Sequence, residues 1–163
     1  MPGCGKSTVG VVLAKQLGFK FIDSDILIQE QYGKRLSQLI DENGDAGFIK
    51  IENDVNKGIC ADRTVIATGG SAVYGREAMS HFKKIGTVVY LEVSYQEIEE
   101  RLGSLHERGV ISNGKDTVEE IYQDRVVLYE QYADITLHEE GQSIRELTKA
   151  LLEKITESHS ISY

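Results

Sequence analysis

The hexapeptide GCGKST, Gly3 to Thr8, runs straight into an amphipathic helical pattern, and this junction restricts the fold more than any other feature of the chain. Its glycines let successive backbone N–H groups converge on phosphate oxygens, the helix behind them turns its positive end to the same point, and a lysine neutralises the terminal phosphates. Gly3, Cys4, Gly5, Lys6, Ser7 and Thr8 therefore form a candidate nucleotide-phosphate loop, with Lys6 as its cation and the Ser7 hydroxyl as a ligand for Mg2+. Thr8 would lie on the α-phosphate side of the turn. Such a loop normally joins a strand to a helix. Here the full spacing G-x-x-x-x-G-K-[ST] puts its first glycine one position before Met1, and no strand pattern precedes the loop. The expectation is a start upstream of Met1, with the first strand missing from this chain.

A turn of this kind belongs to a parallel sheet covered by helices, and the remaining pattern agrees. Val9, Val12, Leu13 and Leu17 give Ser7 to Leu17 one apolar helical face that stops at Gly18, and Phe19 to Ile22 reads as a short strand. Helical patterns follow at 25–32, 36–42 and 45–60, interrupted at Gly33 and Gly44. Buried strands are expected at 64–68, ending at Gly69 and Gly70, and at 87–93, with helices at 76–84 and 95–102. The run GSLHERGVISNGK, 103–115, has no helical or strand period and reads as a functional loop. A helix at 117–132, a strand at 134–137 and an amphipathic helix at 143–155 complete one domain, 1–157, with 158–163 as a frayed tail.

Charge and composition exclude several classes of function. A formal net charge of −8 disfavours a nucleic-acid surface, which needs clustered Lys and Arg, so no nucleic-acid partner is expected. No apolar run approaches the ~20 residues of a bilayer span, so no membrane partner is expected either. The N-terminus lacks a basic region followed by an apolar stretch, which points to the cytoplasm. Cys4 and Cys60 form no metal-ligand spacing and read as free thiols, and the four histidines show no paired metal spacing. A monomer is expected.

Asp23-Ser24-Asp25 follows the strand FKFI, at the end of a strand where ligands gather in open α/β sheets. One carboxylate there can support Mg2+ and its waters, and another can accept the proton of a hydroxyl as it attacks a phosphoryl group. Asp23 is the metal-side candidate and Asp25 the candidate base. The alternative for Ser24 and Asp25 is a helix cap.

Taken in order, GCGKST, FIDSD, ATGGS, ERGV and DRVVLYEQYAD resemble the shikimate kinase family of P-loop metabolite kinases over nearly the whole chain. The resemblance implies an α/β three-layer sandwich around a central parallel sheet, five-stranded in the family. It also implies use of ATP and Mg2+, and phosphorylation of the 3-hydroxyl of shikimate as a small-molecule substrate. By the same resemblance Asp25 contacts the reactive hydroxyl, Asp23 supports Mg2+, and Gly69 and Gly70 begin a glycine triplet that contacts substrate. Arg108 looks like a lid arginine lying over the ATP phosphates, Arg101 like its nucleotide-side companion, and Arg125 like the arginine that grips the substrate carboxylate.

The chain departs from the family pattern mainly around the acceptor. GFIKIE places Ile49 where the family's F-R-x-x-E segment has a carboxylate-binding arginine, while Glu52 keeps the acidic position, with Lys50, Arg125 or water as its candidate partners. Ser71 replaces the third glycine of the triplet, and ERGV replaces the usual R-P-L-L of the lid. The reading is an ATP-dependent kinase in which Lys6, Asp25 and Arg108 carry the chemistry and shikimate is the leading acceptor. A kinase for another small hydroxylated metabolite or a nucleotide stays open, as does a non-catalytic nucleotide-binding protein.

Overall fold

Two glycines set the ends of the first helix, α1 (Lys6–Leu17): Gly5 precedes it at φ 78° and Gly18 ends it at φ 65°, its N–H turned back to the Ala14 and Lys15 carbonyls. The computed structural model describes residues 1, 3–102 and 111–160, without the side chains of 158–160. Strand β1 (Lys20–Asp23) leads directly into α2 (Ser24–Tyr32), because the Asp23 side chain accepts the Asp25 backbone N–H and caps the helix. Next comes α3 (Leu36–Lys57), interrupted at Gly44, whose φ 66° and ψ 177° only glycine adopts freely. The break expected from the sequence at Gly44 is thus a kink inside one long helical element.

The order continues with β2 (Thr64–Ala67), a single 3-10 turn at Ala72–Tyr74, α4 (Arg76–Ile85), β3 (Val89–Val93) and α5 (Tyr95–Leu102). Then follow α6 (Val118–Tyr132), β4 (Ile135–Glu139) and α7 (Ile144–Ser160). Thr117 caps α6 through a reciprocal capping box with Glu120. The last helix corrects the sequence expectation: it continues past Ile155 to Ser160, so the first residues of the expected tail, 158–160, are helical. Nothing in ITESHS breaks a helix, since it holds neither glycine nor proline. Of the expected loop at 103–115, residues 103–110, with Arg108, lie outside the described residues.

All described strand pairings are parallel, as the alternation of strands and helices requires. Strand β1 pairs with β2, placing Asp23 opposite Ala67, and β3 pairs with β4, placing Val93 opposite Glu139. Among the described residues no ladder joins the two parallel pairs. They share one core, in which Val93 and Ile98 are fully buried and Val9, Leu13, Leu91, Leu137 and Leu151 pack together. A second apolar cluster, Ile28, Leu39, Phe48, Val55 and Ile111, binds α2 and α3 to the segment before α6. Among the described residues no helix is long and apolar enough to cross a membrane.

Helix α1 approaches the β1–β2 pair closely because Gly10 has no side chain. A Cβ there would stand 2.8 Å from Phe21 Cε2 and 3.6 Å from Val65 Cγ1. Gly10→Val is therefore expected to overpack this contact at a cost of about 1–3 kcal/mol, outweighing valine's better helix propensity. Thermal unfolding should show a Tm several degrees lower; an unchanged Tm would mean that the helix and strands can part without loss.

Candidate active site

The loop before α1 curls because Gly3 and Gly5 both take positive φ, 73° and 78°. A Cβ on Gly5 would meet no other atom within 4 Å, so it is the positive φ and not crowding that calls for glycine there. Lys6 folds back across the loop: Nζ donates to the Met1 carbonyl at 2.6 Å and lies 3.6 Å from Cys4 Sγ. Cys4 is buried beneath the loop, while Gly3, Gly5, Ser7 and Thr8 are exposed. Arg101, at the end of α5, reaches the same loop. One guanidinium nitrogen sits 3.5 Å from the Gly3 carbonyl and another pairs with Glu139 at 2.7 Å.

Beside the loop, Asp23 joins three elements. Its Oδ2 accepts the Ser7 hydroxyl at 2.7 Å, tying the first turn of α1 to the end of β1, and its Oδ1 accepts the Asp25 N–H at 3.0 Å. Asp23 is thus the cap of α2, and the capping alternative for Ser24 and Asp25 passes to it. Ser7 and Asp23 offer one hydroxyl and one carboxylate side by side at a phosphate loop, a donor set that suits a hard divalent cation such as Mg2+. Among the described residues no group of three or more His, Cys, Asp and Glu gathers to hold a metal. A cation here would take its other ligands from phosphate oxygens and water. Asp25, the second residue of α2, has its proton affinity raised by burial and by the Asp23 charge, against the opposing pull of Lys6.

Beyond Asp25 the walls of the site come from β2, α3 and α6. Gly69 lies just past β2, and a Cβ on it would collide with Glu52 Oε1 and stand 2.8 Å from Asp25 Oδ1. Glycine is required there by two carboxyl groups, not by a turn. Glu52, on α3, is 1% exposed and is held by the Ser71 hydroxyl at 2.6 Å. Neither Lys50 nor Arg125 takes that place, which corrects the partners expected for Glu52. Burial pushes its carboxyl up to about 7, opposed by the Ser71 hydrogen bond and reinforced by the Asp25 charge.

Arg125, on α6, is 1% exposed, so it is no solvated surface charge. Its guanidinium donates to the Ile111 carbonyl at 2.5 Å and, at 3.4 Å, to the Tyr74 hydroxyl, which itself donates to Asp124 at 2.6 Å. The same guanidinium lies 5.4 Å from the centre of the Tyr74 ring. Tyr129, one turn further along α6, donates to the Gly70 carbonyl at 2.6 Å and fixes the segment after β2.

The structure therefore brings Lys6, Ser7, Asp23, Arg101 and the phosphate loop together on one side, and Asp25 with Gly69 and Glu52 on the other. Sequence reasoning passed over Tyr74, Tyr129 and the Ser71 hydroxyl as site-building groups. Tyrosines spread through the chain carry no spacing signal, and Ser71 reads only as a missing glycine. Asp45 was also passed over; beside the Gly44 kink it accepts three hydrogen bonds, from the Ser112 N–H and hydroxyl and the Asn113 N–H, and so pins the segment before α6.

Comparison with known proteins gives a consistent result. A family model described as shikimate kinase matches residues 2–156. The chain is 34% identical over 159 residues to a shikimate kinase of Vibrio vulnificus, covering 96% of this chain and 92% of the relative. It is 32% identical over 154 residues to one of Persephonella marina, covering 94% and 93%. Among solved structures, shikimate kinase from Acinetobacter baumannii in complex with shikimate superposes with a TM-score of 0.82 at 27% identity, over 96% of this chain and 89% of that one. Shikimate kinase from Aquifex aeolicus gives 0.84 at 28% identity, over 98% and 94%.

The buried Glu52 carboxyl makes stability depend on pH in a defined direction. Between about pH 4.5 and about 7 the folded chain holds this proton while the unfolded chain releases it, so stability falls as pH rises through that window. Above it the full penalty stands, on the order of 3 kcal/mol. Glu52→Gln carries no such charge and can keep the Ser71 hydrogen bond, so its Tm is expected to exceed that of the unsubstituted chain by more at pH 8 than at pH 5. Melting curves at the two pH values check this; a difference independent of pH would place the Glu52 carboxyl in its charged form throughout.

Proposed function

The chain belongs to the shikimate kinase family, and we propose that it transfers the γ-phosphoryl group of ATP to the 3-hydroxyl of shikimate. The observation that carries this reading is the hydrogen-bonded run from Ser7 through Asp23 to Asp25, which sets a phosphate loop beside a carboxyl of raised proton affinity. In this reading the loop N–H groups of Gly3 to Thr8 cradle the phosphates, and Lys6 exchanges the Met1 carbonyl for a phosphate oxygen. Mg2+, held by Ser7 and Asp23 with phosphate oxygens, would supply charge neutralisation to the phosphates.

Asp25 orients the acceptor hydroxyl and takes its proton as the oxygen attacks phosphorus. Its raised proton affinity suits that step, since a base is most effective when its pKa approaches the working pH. Gly69 lets the acceptor approach Asp25 closely, and Arg125 meets the acceptor carboxylate with a planar pair of donors. Arg108 is assigned to the phosphoryl charge and Arg101 to the nucleotide, the latter supported by its contact with the Gly3 carbonyl. The chain acts in this reading as a cytoplasmic monomer on small molecules alone.

One observation favours a second acceptor of related chemistry. Ile49 packs against the apolar cluster of α2 and α3, so the second cation that would meet a carboxylate is absent from that position. Losing one charged hydrogen bond to a carboxylate weakens binding by about tenfold to a hundredfold. A hydroxylated acceptor that needs one carboxylate clamp would lose nothing there.

The deciding measurement is ADP release from Mg-ATP with and without shikimate, alongside a panel of small hydroxylated acids. Shikimate-dependent release is expected. Asp25→Asn should lower kcat/KM for the acceptor by about a hundredfold to ten-thousandfold with the fold unchanged by circular dichroism. Lys6→Met should abolish most turnover. No stimulation by shikimate would remove the acceptor assignment, and near-normal turnover of Asp25→Asn would remove the base.

A further inference from the structure

One buried hydroxyl at the acceptor end has no part in the chemistry above. Ser71 is 6% exposed, at the entry to the 3-10 turn, and its Oγ donates to Glu52 Oε2 at 2.6 Å. The other Glu52 oxygen, Oε1, is buried with no hydrogen-bond partner among the described residues. It lies against Gly69, at the point where a side chain on that residue would also meet Asp25 Oδ1. The neighbouring cations are engaged elsewhere: Arg125 with the Ile111 carbonyl and Tyr74, Lys6 with the Met1 carbonyl. Ile49, one helical turn before Glu52, brings no charge. Ser71 is therefore what fixes the orientation of this carboxyl.

We propose that Ser71 is a positioning residue of the acceptor site, holding Glu52 so that its free oxygen stands beside Asp25 at the Gly69 surface, where a polyhydroxylated acceptor presents a second hydroxyl. The inference rests on the reading of the Asp25 side as the acceptor site. A glutamate has three rotatable side-chain bonds, and a buried carboxyl stripped of its one donor turns toward whatever donor it can reach. Of the two cations whose charge acts on Glu52, Arg125 and Lys6, the stronger pull is that of Arg125. A Glu52 turned that way would occupy the guanidinium assigned to the acceptor carboxylate and leave the second hydroxyl without its partner. Both effects weaken acceptor binding and leave the nucleotide side untouched.

Steady-state kinetics with Mg-ATP and shikimate on the wild-type chain, Ser71→Ala, Ser71→Thr, Glu52→Ala and the Ser71→Ala/Glu52→Ala double variant test this. Ser71→Ala is expected to raise the acceptor KM about tenfold, with kcat and the ATP KM within about twofold of wild type. Ser71→Thr, which keeps the hydroxyl, should recover most of the loss. Because Ser71 acts through Glu52, and Glu52→Ala leaves it nothing to hold, the double variant should be no worse than Glu52→Ala alone. An unchanged acceptor KM in Ser71→Ala, an equal rise in both KM values, or additive losses in the double variant would each overturn the role. Absence of shikimate-stimulated ADP release from the wild-type chain is a separate outcome: it would overturn the acceptor reading itself, and this role with it.

Discussion

The 2.7 Å hydrogen bond between the Ser7 hydroxyl and Asp23 is the contact on which the geometry of the site depends. It joins the start of α1 to the end of β1, so the phosphate loop cannot shift without carrying the strand end with it. Asp23 uses its second oxygen to cap α2, which sets the first turn of that helix and with it the direction of Asp25. One short side chain thereby registers a loop, a strand and a helix. The parallel pairing of β1 with β2 extends this registration to Ala67, and two residues later to Gly69.

The charges of the site follow from that crowding. Asp23, Asp25 and Glu52 stand near one another, and burial makes it costly for all three to be ionised together. Asp23 has the Ser7 hydroxyl and a backbone N–H as donors; Glu52 has, among the described residues, the Ser71 hydroxyl, and burial pushes its carboxyl up to about 7. Asp25 has its proton affinity raised by burial and by the Asp23 charge. A carboxyl whose proton affinity is raised in this way is a stronger base than a free carboxylate.

Much of the architecture was legible in the sequence because it rests on local rules. The α1 span followed from GKST and the stop at Gly18, α5 from its apolar spacing, and the Gly44 interruption from a single glycine. The acidic pair at Asp23 and Asp25 was legible from its place after a strand. What escaped notice depends on contacts between distant segments: Ser71 with Glu52, Tyr129 with the Gly70 carbonyl, Tyr74 with Asp124 and Arg125. No periodicity encodes these.

The same distinction explains why, among the described residues, none near Glu52 makes up for a cation at position 49. Lys50 and Glu52 are two residues apart on α3, about 200° around the helix, so a lysine exposed to water cannot turn to a carboxyl buried on the far side. Ile49, three residues before Glu52, does share its face, but it contributes to the apolar packing of α2 and α3. Arg125 is buried and acts on Glu52 through its charge, yet its hydrogen bonds go to Ile111 and Tyr74. A buried carboxyl surrounded in this way has two means of avoiding the cost of an unpaired charge: keep its proton and accept a neutral donor. Glu52 uses both, and the neutral donor is the hydroxyl of the residue that stands in place of a third glycine.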